Sequence, residues 1–597
     1  MQPMLQRLDF AGLHLERTHD DDRPYVIVGR RAYAIGMMSG APPRVGDEHL
    51  VGEMGGFWAH PIKALDAWGV RLNDDDLGEP LAFNNYFWGI ERVRAFSSDL
   101  VVRELEWIDE DERALFVRVQ LENRGTRPRA VLARYFAQPH LRPCWMSVML
   151  DGKDSVQAHP DYLLATDAAN PGWAVAVYAP AGLTQSLQLA PGEQHAFWVI
   201  VAVVHEGGAA EALRLAQHLL PQAEQRLARK QAAYRAAAQD EASPSDMLEF
   251  AYRCARLNLK LLEADYPAGH YPIAGLPEYP NLFGCDVAYS AVGLCLGGQV
   301  ELAADALRAL GAVMARQCGR TPHEVLPSGE VFHPGNTQEI AQFVSAVWRI
   351  SAYVADGAAF LHALYPVCRA GLLNYLRSGF TQGGSRFPHY PFGNAMVERE
   401  GMLPLKLDAV CYTWRALRDL ARMAQALAQN GRADFDYAAD ADEAQRWADA
   451  IAASFERDWW IEAEGLYADS LGWDGQQQLD RHWTQIVPLE VELAAPEHAE
   501  RVLDALERGW LNTYGLPHTK DADERVWTLG NGILALIAAR HRRGALAERL
   551  LHNIAETLYH GQLGLFEELI PHGLCFVQLW SAALFIEAYA ALRTAAA

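Results

Sequence analysis

The sequence has few cysteines, and they form no paired motif. Eight occur among 597 residues: Cys144, Cys254, Cys285, Cys295, Cys318, Cys368, Cys411 and Cys575. Scattered thiols favour a reducing compartment over a disulfide framework or a zinc site. HExxH, a Walker-type loop and a GxGxxG motif after a strand are also missing. We therefore predict a cytoplasmic protein that uses no metal and no cofactor.

Positive charge and long apolar runs are scarce as well. The 52 Lys and Arg residues are outnumbered by 75 Asp and Glu residues, which leaves a net charge of −23. Nucleic-acid binding is not expected, because contacts to phosphates need a basic surface. No run of roughly 18 apolar residues predicts a membrane span, and residues 1–23 have no apolar core of signal-peptide length. Neither a nucleic acid nor a membrane is expected as a partner, and a homo-oligomer is left open.

What is present begins with β-strand patterns. Apolar and polar residues alternate in ERALFVRVQLENRG (112–125), and similar short runs are AVLARYFAQ (130–138), WAVAVYAP (173–180) and HAFWVIVAVV (195–204). Turn residues such as those of APGEQ (190–194) separate them. Short strands without intervening helices predict an antiparallel β-sandwich over residues 1–206. In GEMGGFWAHPIKALDAWG (52–69), either a loop reaching the second domain or a buried turn around Trp58 is expected.

The apolar period then becomes helical. Residues 207–243 predict linker helices interrupted near Pro221, and SPSD (243–246) predicts a helix start with Ser243 as the cap. Twelve helical segments follow within residues 244–597, near 245–264, 286–299, 301–317, 337–355, 358–377, 405–428, 440–456, 484–494, 497–510, 527–541, 544–559 and 575–593. A helical solenoid would show a sequence repeat of fixed period, and none is visible. This second domain is therefore predicted to be an (α/α)6 barrel.

The long loops between these helices collect carboxylates, amides, arginine and tryptophan. Such side chains hydrogen-bond sugar hydroxyls and stack on sugar rings. The candidates for sugar binding are Asp286, His323, Glu324, Asn336, Glu339, Arg481, Trp483, Gln485, Trp527 and Trp580. Each also has a structural explanation, since Asp286 and Glu339 could offset a helix dipole, the histidines could be hydrogen-bonded loop residues, and Trp580 could be core. The adjacent pair Glu567 and Glu568 could simply be exposed.

Several short motifs in residues 270–590 resemble the six-helix-pair glycosidases, especially the amylo-alpha-1,6-glucosidase domain of glycogen-debranching enzymes. NLFGCDVAYSAVGLCLGG (281–298) resembles the Phe-Gly-Arg-Asp segment of that family, with Asp286 on the Asp and Cys285 replacing the Arg. GRTPHE (319–324), NTQEIAQF (336–343), KLDAVCYTWRAL (406–417) and RHWTQIVPLE (481–490) resemble further segments. FEELIPHGLCFVQLWSAA (566–583) resembles the Leu-Pro-Glu-Leu segment, with Glu568 on the glutamate.

This resemblance implies a role for Glu568 as the general base of an inverting reaction. The general acid of the family is an Asp, but the corresponding stretch RFPHYPFGN (386–394) contains no carboxylate. Glu398 and Glu400 on the same loop are therefore the candidate acids, followed by Asp408.

The predicted function is a glycoside hydrolase acting on a small oligosaccharide or glucoside. Two alternatives stay open. One is a disaccharide phosphorylase of related fold, which would need a cationic pocket near the base. The other is a catalytically inactive sugar-binding protein, which the unmatched acid position would explain.

Overall fold

A computed structural model of the chain describes residues 8–9, 14–17, 23–41, 54–78, 80–144, 148–238, 244–335, 337–381, 385–389, 402–520, 525–573 and 575–596. The amino-terminal strands are β1 Leu8–Asp9, β2 His14–Arg17, β3 Pro24–Gly29, β4 Ala32–Met37, β5 Gly56–Ala59, β6 Ile62–Leu72, β7 Asp75–Asp76, β8 Pro80–Asn85, β9 Ile90–Ser97, β10 Leu100–Ile108, β11 Ala114–Asn123, β12 Arg129–Pro143, β13 Asp154–Ala158, β14 Tyr162–Asp167, β15 Ala174–Tyr178, β16 Thr184–Leu189 and β17 Gln194–Val204.

These strands form two antiparallel sheets. Ten strands pair in the order β1-β2-β8-β9-β10-β11-β17-β15-β14-β13, and the second sheet has the order β16-β12-β6-β5-β4-β3, with β7 paired to β6. Alternate residues of β11 point to different cores, as the period of a strand requires. Val117 and Val119 join an apolar cluster shared with strands of the second sheet, whereas Phe116 joins a cluster shared with the helices. The predicted antiparallel region is confirmed.

Within the 52–69 segment, β5 and β6 form a hairpin joined by the His60–Pro61 turn. Trp58 is buried, and its indole Nε1 donates a hydrogen bond to the Met54 carbonyl oxygen at 2.8 Å. The His60 ring also contacts the ring of Tyr266, which follows the first long helix of the second half. The hairpin is therefore a buried turn that touches the helical region at its tip.

The helices are α1 Gly208–Leu219, α2 Ala223–Ala238, α3 Met247–Leu261, α4 Gly284–Leu296, α5 Val300–Arg316, α6 Thr337–Ile350, α7 Gly357–Arg369, α8 Arg377–Phe380, α9 Leu407–Gln429, α10 Tyr437–Trp459, α11 Val487–Glu490, α12 Pro496–Gly509, α13 Thr528–Arg540, α14 Gly544–Glu556 and α15 Leu579–Ala596. A π-helix spans Ala370–Leu376, and 3-10 turns span Leu220–Gln222, Trp483–Ile486 and Thr557–Tyr559. None of these described helices combines the length and apolarity needed to cross a membrane.

The helices α1 and α2 link the two halves. The predicted interruption at Pro221 is present as the Leu220–Gln222 turn. Lys230 of α2 is buried against the sheets, where its ammonium donates to the carbonyl oxygens of Val28 and, at 2.8 Å, Ile108. The predicted cap at Ser243 is wrong, because α3 begins only at Met247 with Asp246 accepting a hydrogen bond from the Glu249 amide.

Six helices, called the ring helices below, contact one another in a closed order. The contacts run from α4 to α6, α9, α11, α13 and α15, and α15 contacts α4 again. Other helices lie against them: α5 packs against α4 and α6, α10 against α9, and α14 against α13 and α15. The prediction of a strand-rich region followed by many helices is thus confirmed, while the assignment to a specific barrel class stays a prediction.

Candidate active site

Short strands tie together the starts of the ring helices. They are β18 Glu263–Tyr266, β19 Gly269–Pro272, β20 Gly275–Leu276, β21 Leu282–Phe283, β22 Glu324–Val325, β23 Val331–His333, β24 Leu405–Lys406, β25 Trp460–Ile461, β26 Leu466–Tyr467, β27 Ser470–Leu471, β28 Gln477–Gln478, β29 Val526–Trp527, β30 Leu569–Ile570 and β31 Val577–Gln578. Four of them, β21, β24, β29 and β31, directly precede α4, α9, α13 and α15, and each pairs with another loop strand. These loops therefore meet at one end of the ring.

Asp286 lies at this end, in the first turn of α4. It is 2% exposed, and both of its carboxylate oxygens are engaged. Oδ1 accepts a hydrogen bond from Gln578 Nε2 at 2.8 Å, and Oδ2 accepts one from Cys285 Sγ at 3.1 Å. Gly284 allows the 321–325 segment to pass close by, since a Cβ there would come within 2.3 Å of the Pro322 carbonyl oxygen.

Glu568 is held at the same end by its backbone. Its N–H donates to the Cys575 carbonyl oxygen at 3.0 Å, and its own carbonyl oxygen accepts from the N–H and the hydroxyl of Thr528, each at 3.0 Å. The strand that follows, β30, pairs with β29, so that Trp527 lies opposite Leu569. Two loops thus fix the position of Glu568, whose side chain is 8% exposed.

Glu567 has a different environment from its neighbour. Its carboxylate accepts a hydrogen bond from the Gly573 N–H at 3.0 Å, which closes the turn between β30 and β31. On this side lies a cavity of about 400 Å³, lined by Arg23, His560, Glu567 and His572 among others. Glu568 is not one of the described residues that line it. The Glu567 carboxylate thus belongs to the turn, whereas the Glu568 backbone is held at the helix-start end of the ring.

Asp286 and Glu568 influence each other electrostatically. Burial raises the pKa of Glu568 to about 8, the negative charge of Asp286 adds to the rise, and Arg525 opposes it. Burial also raises the pKa of Asp286 to about 6, although the bond from Cys285 and the positive charge of His323 oppose the rise. Near neutral pH the pair therefore retains one proton, held mainly by Glu568.

His323, Glu324 and Glu339 surround Asp286 on the side of α6. The His323 Nδ1 is hydrogen-bonded to Glu339 Oε1, and Glu339 is completely buried. Burial alone would lower the pKa of His323, but the Glu339 carboxylate raises it to about 9. Glu324 accepts a hydrogen bond from Asn281 Nδ2 at 2.6 Å. The three residues are thus brought to the site, in partnerships with one another and with the loop before α4.

Arg481, Trp483 and Gln485 occupy a loop that Asp469 holds in place. The Asp469 carboxylate accepts the backbone N–H groups of residues 480, 481 and 482 at 2.6, 2.7 and 3.2 Å. The Gln485 amide is fully buried and bonds the N–H and the carbonyl oxygen of Tyr467 at 2.9 and 2.7 Å. Arg481 is half exposed and pairs with Glu464 at 3.1 Å. Gln485 therefore shapes the loop, and Arg481 faces solvent.

Trp527 lies opposite Leu569, the residue after Glu568. The rings of Trp527 and Trp580 are 6.3 Å apart, and Trp527 also contacts His518 at 4.6 Å. The indole Nε1 atoms of Trp483 and Trp580 are buried without a hydrogen-bond partner in the described part of the chain. A buried donor of this kind can be satisfied by a bound hydroxyl or by water.

Three predicted site residues, Asn336, Glu398 and Glu400, lie outside the described residues. The third candidate acid, Asp408, is described. It is buried in the first turn of α9, and burial raises its pKa to about 6.

Two contributors to the site were not identified from the sequence. Arg525 lies in the loop before α13 and lowers the pKa of Glu568. Asp469 positions the 480–485 loop although it precedes that loop by more than ten residues. The available signals were a charged residue in a long loop, for Arg525, and a carboxylate two residues after Tyr467, for Asp469.

No protein-family model matches the chain, and no curated protein matches it in sequence. Solved structures do match in three dimensions. A bacterial glucoamylase complexed with acarbose superimposes with a TM-score of 0.62 and 11% identity, covering 96% of this chain and 92% of that one. A human-microbiome protein provisionally named kojibiose phosphorylase gives 0.63 and 9%, covering 96% and 88%. At these identities the likeness shows that this chain shares the fold of both structures.

Proposed function

We propose that the protein is a glycoside hydrolase that cleaves a small oligosaccharide or glucoside with inversion. One observation carries this proposal: two buried carboxylates, Asp286 and Glu568, meet where loops from four ring helices converge. Glycosidic cleavage needs two carboxyl groups; Glu568 would be one of them, and Asp286 would hold a sugar hydroxyl beside it. The fold shared with a glucoamylase and with a protein named as a phosphorylase supports an enzyme acting on sugars.

The closed contact order of α4, α6, α9, α11, α13 and α15 supports an (α/α)6 barrel, and the short sequence motifs support the amylo-alpha-1,6-glucosidase type. In such a barrel the ring helices form the inner layer and the remaining helices the outer one. The substrate would enter at the end where β21, β24, β29 and β31 precede their helices.

In the proposed reaction Glu568 is the general base. Its ionised carboxylate takes a proton from a water molecule that attacks the anomeric carbon. The Asp286 carboxylate binds a sugar hydroxyl, since Gln578 and Cys285 leave lone pairs on its oxygens for a further donor. Trp527 and Trp580 offer ring faces, and the indole N–H of Trp580 has no partner among the described residues.

The general acid would be Glu400 or Glu398, with Asp408 as the described alternative. The acid must protonate the leaving oxygen from the face opposite the base. In an inverting enzyme the two carboxyl groups lie about 6.5–9.5 Å apart, which leaves room for the attacking water. Asp408 meets one requirement of an acid, because its burial raises its pKa.

A disaccharide phosphorylase is the second candidate, and a specific observation favours it. Phosphate needs cationic partners near the position of the attacking water. Arg525, which acts electrostatically on Glu568, is one such cation.

Product analysis tests both candidates. The protein is incubated with α- and β-linked disaccharides with and without inorganic phosphate, and anomers are followed by proton NMR. A hydrolase releases free sugar without phosphate, and inversion gives the anomer opposite to the bond. Strict dependence on phosphate with release of a sugar 1-phosphate would replace hydrolysis by phosphorolysis, and binding without turnover would overturn both.

A further inference from the structure

Three metal-ligand side chains converge beside Asp286, from three separate parts of the chain. Cys285 lies in the first turn of α4, Glu339 in the first turn of α6, and His323 just before β22. One donor atom from each, the Cys285 thiol, the His323 imidazole and the Glu339 carboxylate, lies within 4.8 Å of the other two. Because the ligands are 38 and 16 positions apart, short-motif spacing gives no sign of this group.

The donor atoms face the same small volume. Cys285 Sγ is 3.8 Å from His323 Nδ1, and this nitrogen also contacts Glu339 Oε1. In tetrahedral zinc sites the ligand atoms lie about 2.0–2.3 Å from the metal, which places them roughly 3.3–3.6 Å from one another. The observed group needs only small movements to reach that geometry.

The loop between α5 and α6 is folded tightly over this group. The His323 N–H donates to the His333 carbonyl oxygen at 3.0 Å. Gly335 has a φ of +82°, and a Cβ on it would come within 2.7 Å of His323 N and 2.9 Å of Glu339 Oε2. Glycine is thus required where the loop closes on the His323–Glu339 pair. The ligands are consequently held in place by backbone structure.

The surroundings carry an excess of buried negative charge. Asp286 and Glu339 are less than 3% exposed, and Glu324, the residue after His323, is 7% exposed. A divalent cation would offset this negative charge more completely than the single positive charge of the His323 imidazolium does.

We propose that Cys285, His323 and Glu339 form a binding site for a divalent cation of the zinc class. Thiolate, imidazole and carboxylate are the three ligand types that zinc accepts together, and three protein ligands leave a further position for water. The cation would join α4, α6 and the 319–335 loop beside Asp286. The proposal does not depend on glycosidase activity, because it concerns binding and stability.

Metal content and cobalt spectroscopy test the site. The full chain is expressed in medium supplemented with Zn²⁺ or Co²⁺, so that a buried site can fill during folding. Zinc is measured by mass spectrometry, and a thiolate-to-cobalt charge-transfer band is sought by absorption. One equivalent of metal, the band, and a higher Tm than that of chelator-treated protein are expected.

Matched variants locate the site. Cys285→Ser removes the thiolate ligand and should abolish the band, whereas Cys295→Ser removes a buried thiol farther along α4 and should leave the band unchanged. His323→Gln gives a second test if Cys285→Ser does not fold, and it should reduce metal content below half an equivalent. A wild-type protein without bound metal overturns the proposal, as does a band or metal content that survives both ligand substitutions.

Discussion

Gln578 donates its side-chain amide to the Asp286 carboxylate across 2.8 Å, joining the residue before the last helix to the first turn of α4. The orientation of the amide is fixed, because its oxygen accepts a hydrogen bond from Cys575 Sγ at 3.1 Å. The β20–β31 pair, in which Gly275 lies opposite Gln578, holds the backbone. Gln578 is therefore a positioning residue for Asp286.

Gln578→Leu should disturb the position of the Asp286 carboxylate without leaving a cavity at residue 578. The carboxylate loses its amide donor, so we expect a destabilisation of about 1–3 kcal/mol and a fall in kcat/KM on the order of 10- to 100-fold from misplaced substrate contacts. Urea unfolding and steady-state kinetics measure the two effects. Gln188→Leu, at an exposed position of β16, is the control. Unchanged kinetics in Gln578→Leu would refute the positioning role.

The pH dependence of kcat/KM should show a rising limb near pH 8. Burial and the Asp286 charge raise the pKa of Glu568 to about 8, and a general base acts only when ionised. Activity should therefore increase as pH rises through that value in phosphate-free buffers. A profile whose rising limb ends well below pH 7 would contradict this assignment.

The free energy of unfolding should fall as pH rises, whereas the activity should increase. The folded protein binds the Glu568 proton more tightly than the unfolded chain does, so this stabilisation is complete below about pH 4.5 and is lost as pH rises to about 8. Asp408 and Asp469, with pKa values raised by burial to about 6 and about 7, act in the same direction. Glu568→Gln should flatten the fall in Tm between pH 5 and pH 8. Parallel wild-type and variant profiles would contradict it.

Asp469→Asn should destabilise the 480–485 loop. The Asp469 carboxylate accepts three backbone N–H groups and the Gln485 amide. An amide NH₂ in place of one oxygen would face these donors, so a loss of about 2–4 kcal/mol in the free energy of unfolding is expected. Asp474→Asn, in an exposed turn, should cost less than about 0.5 kcal/mol. Equal unfolding midpoints in urea for both variants would argue against an anchoring role.

Element types were predictable because apolar periodicity reports burial directly. The alternation in 112–125 became β11, and the candidate helix 405–428 corresponds to α9 Leu407–Gln429. The type and length of individual helical turns were harder to predict. The candidate helix 484–494 is a 3-10 turn followed by the short α11, and 358–377 ends in the π-helix Ala370–Leu376. Gly371 packs against Gly319 there, a contact that no local pattern encodes.

The site was predictable to the extent that its residues follow helix starts. Asp286 and Glu568 come together as expected of polar loops at one end of the helices. The roles of Gln485 and Arg481 could not be predicted, since they depend on which distant group each side chain meets. Gln485 meets the Tyr467 backbone and Arg481 meets Glu464. The Cys285, His323 and Glu339 group went unpredicted for the same reason, because only the fold brings it together.

The turnover of Glu568→Gln, measured beside that of Glu567→Gln, tests the role of Glu568 most directly. The first substitution keeps shape and removes the base, so kcat on a disaccharide that the wild type hydrolyses should fall about 10²- to 10⁴-fold. Glu567→Gln alters a carboxylate that bonds the Gly573 N–H in a turn and should retain most of the activity. A folded Glu568→Gln variant that keeps more than a few per cent of wild-type turnover would contradict the assignment of Glu568 as the general base.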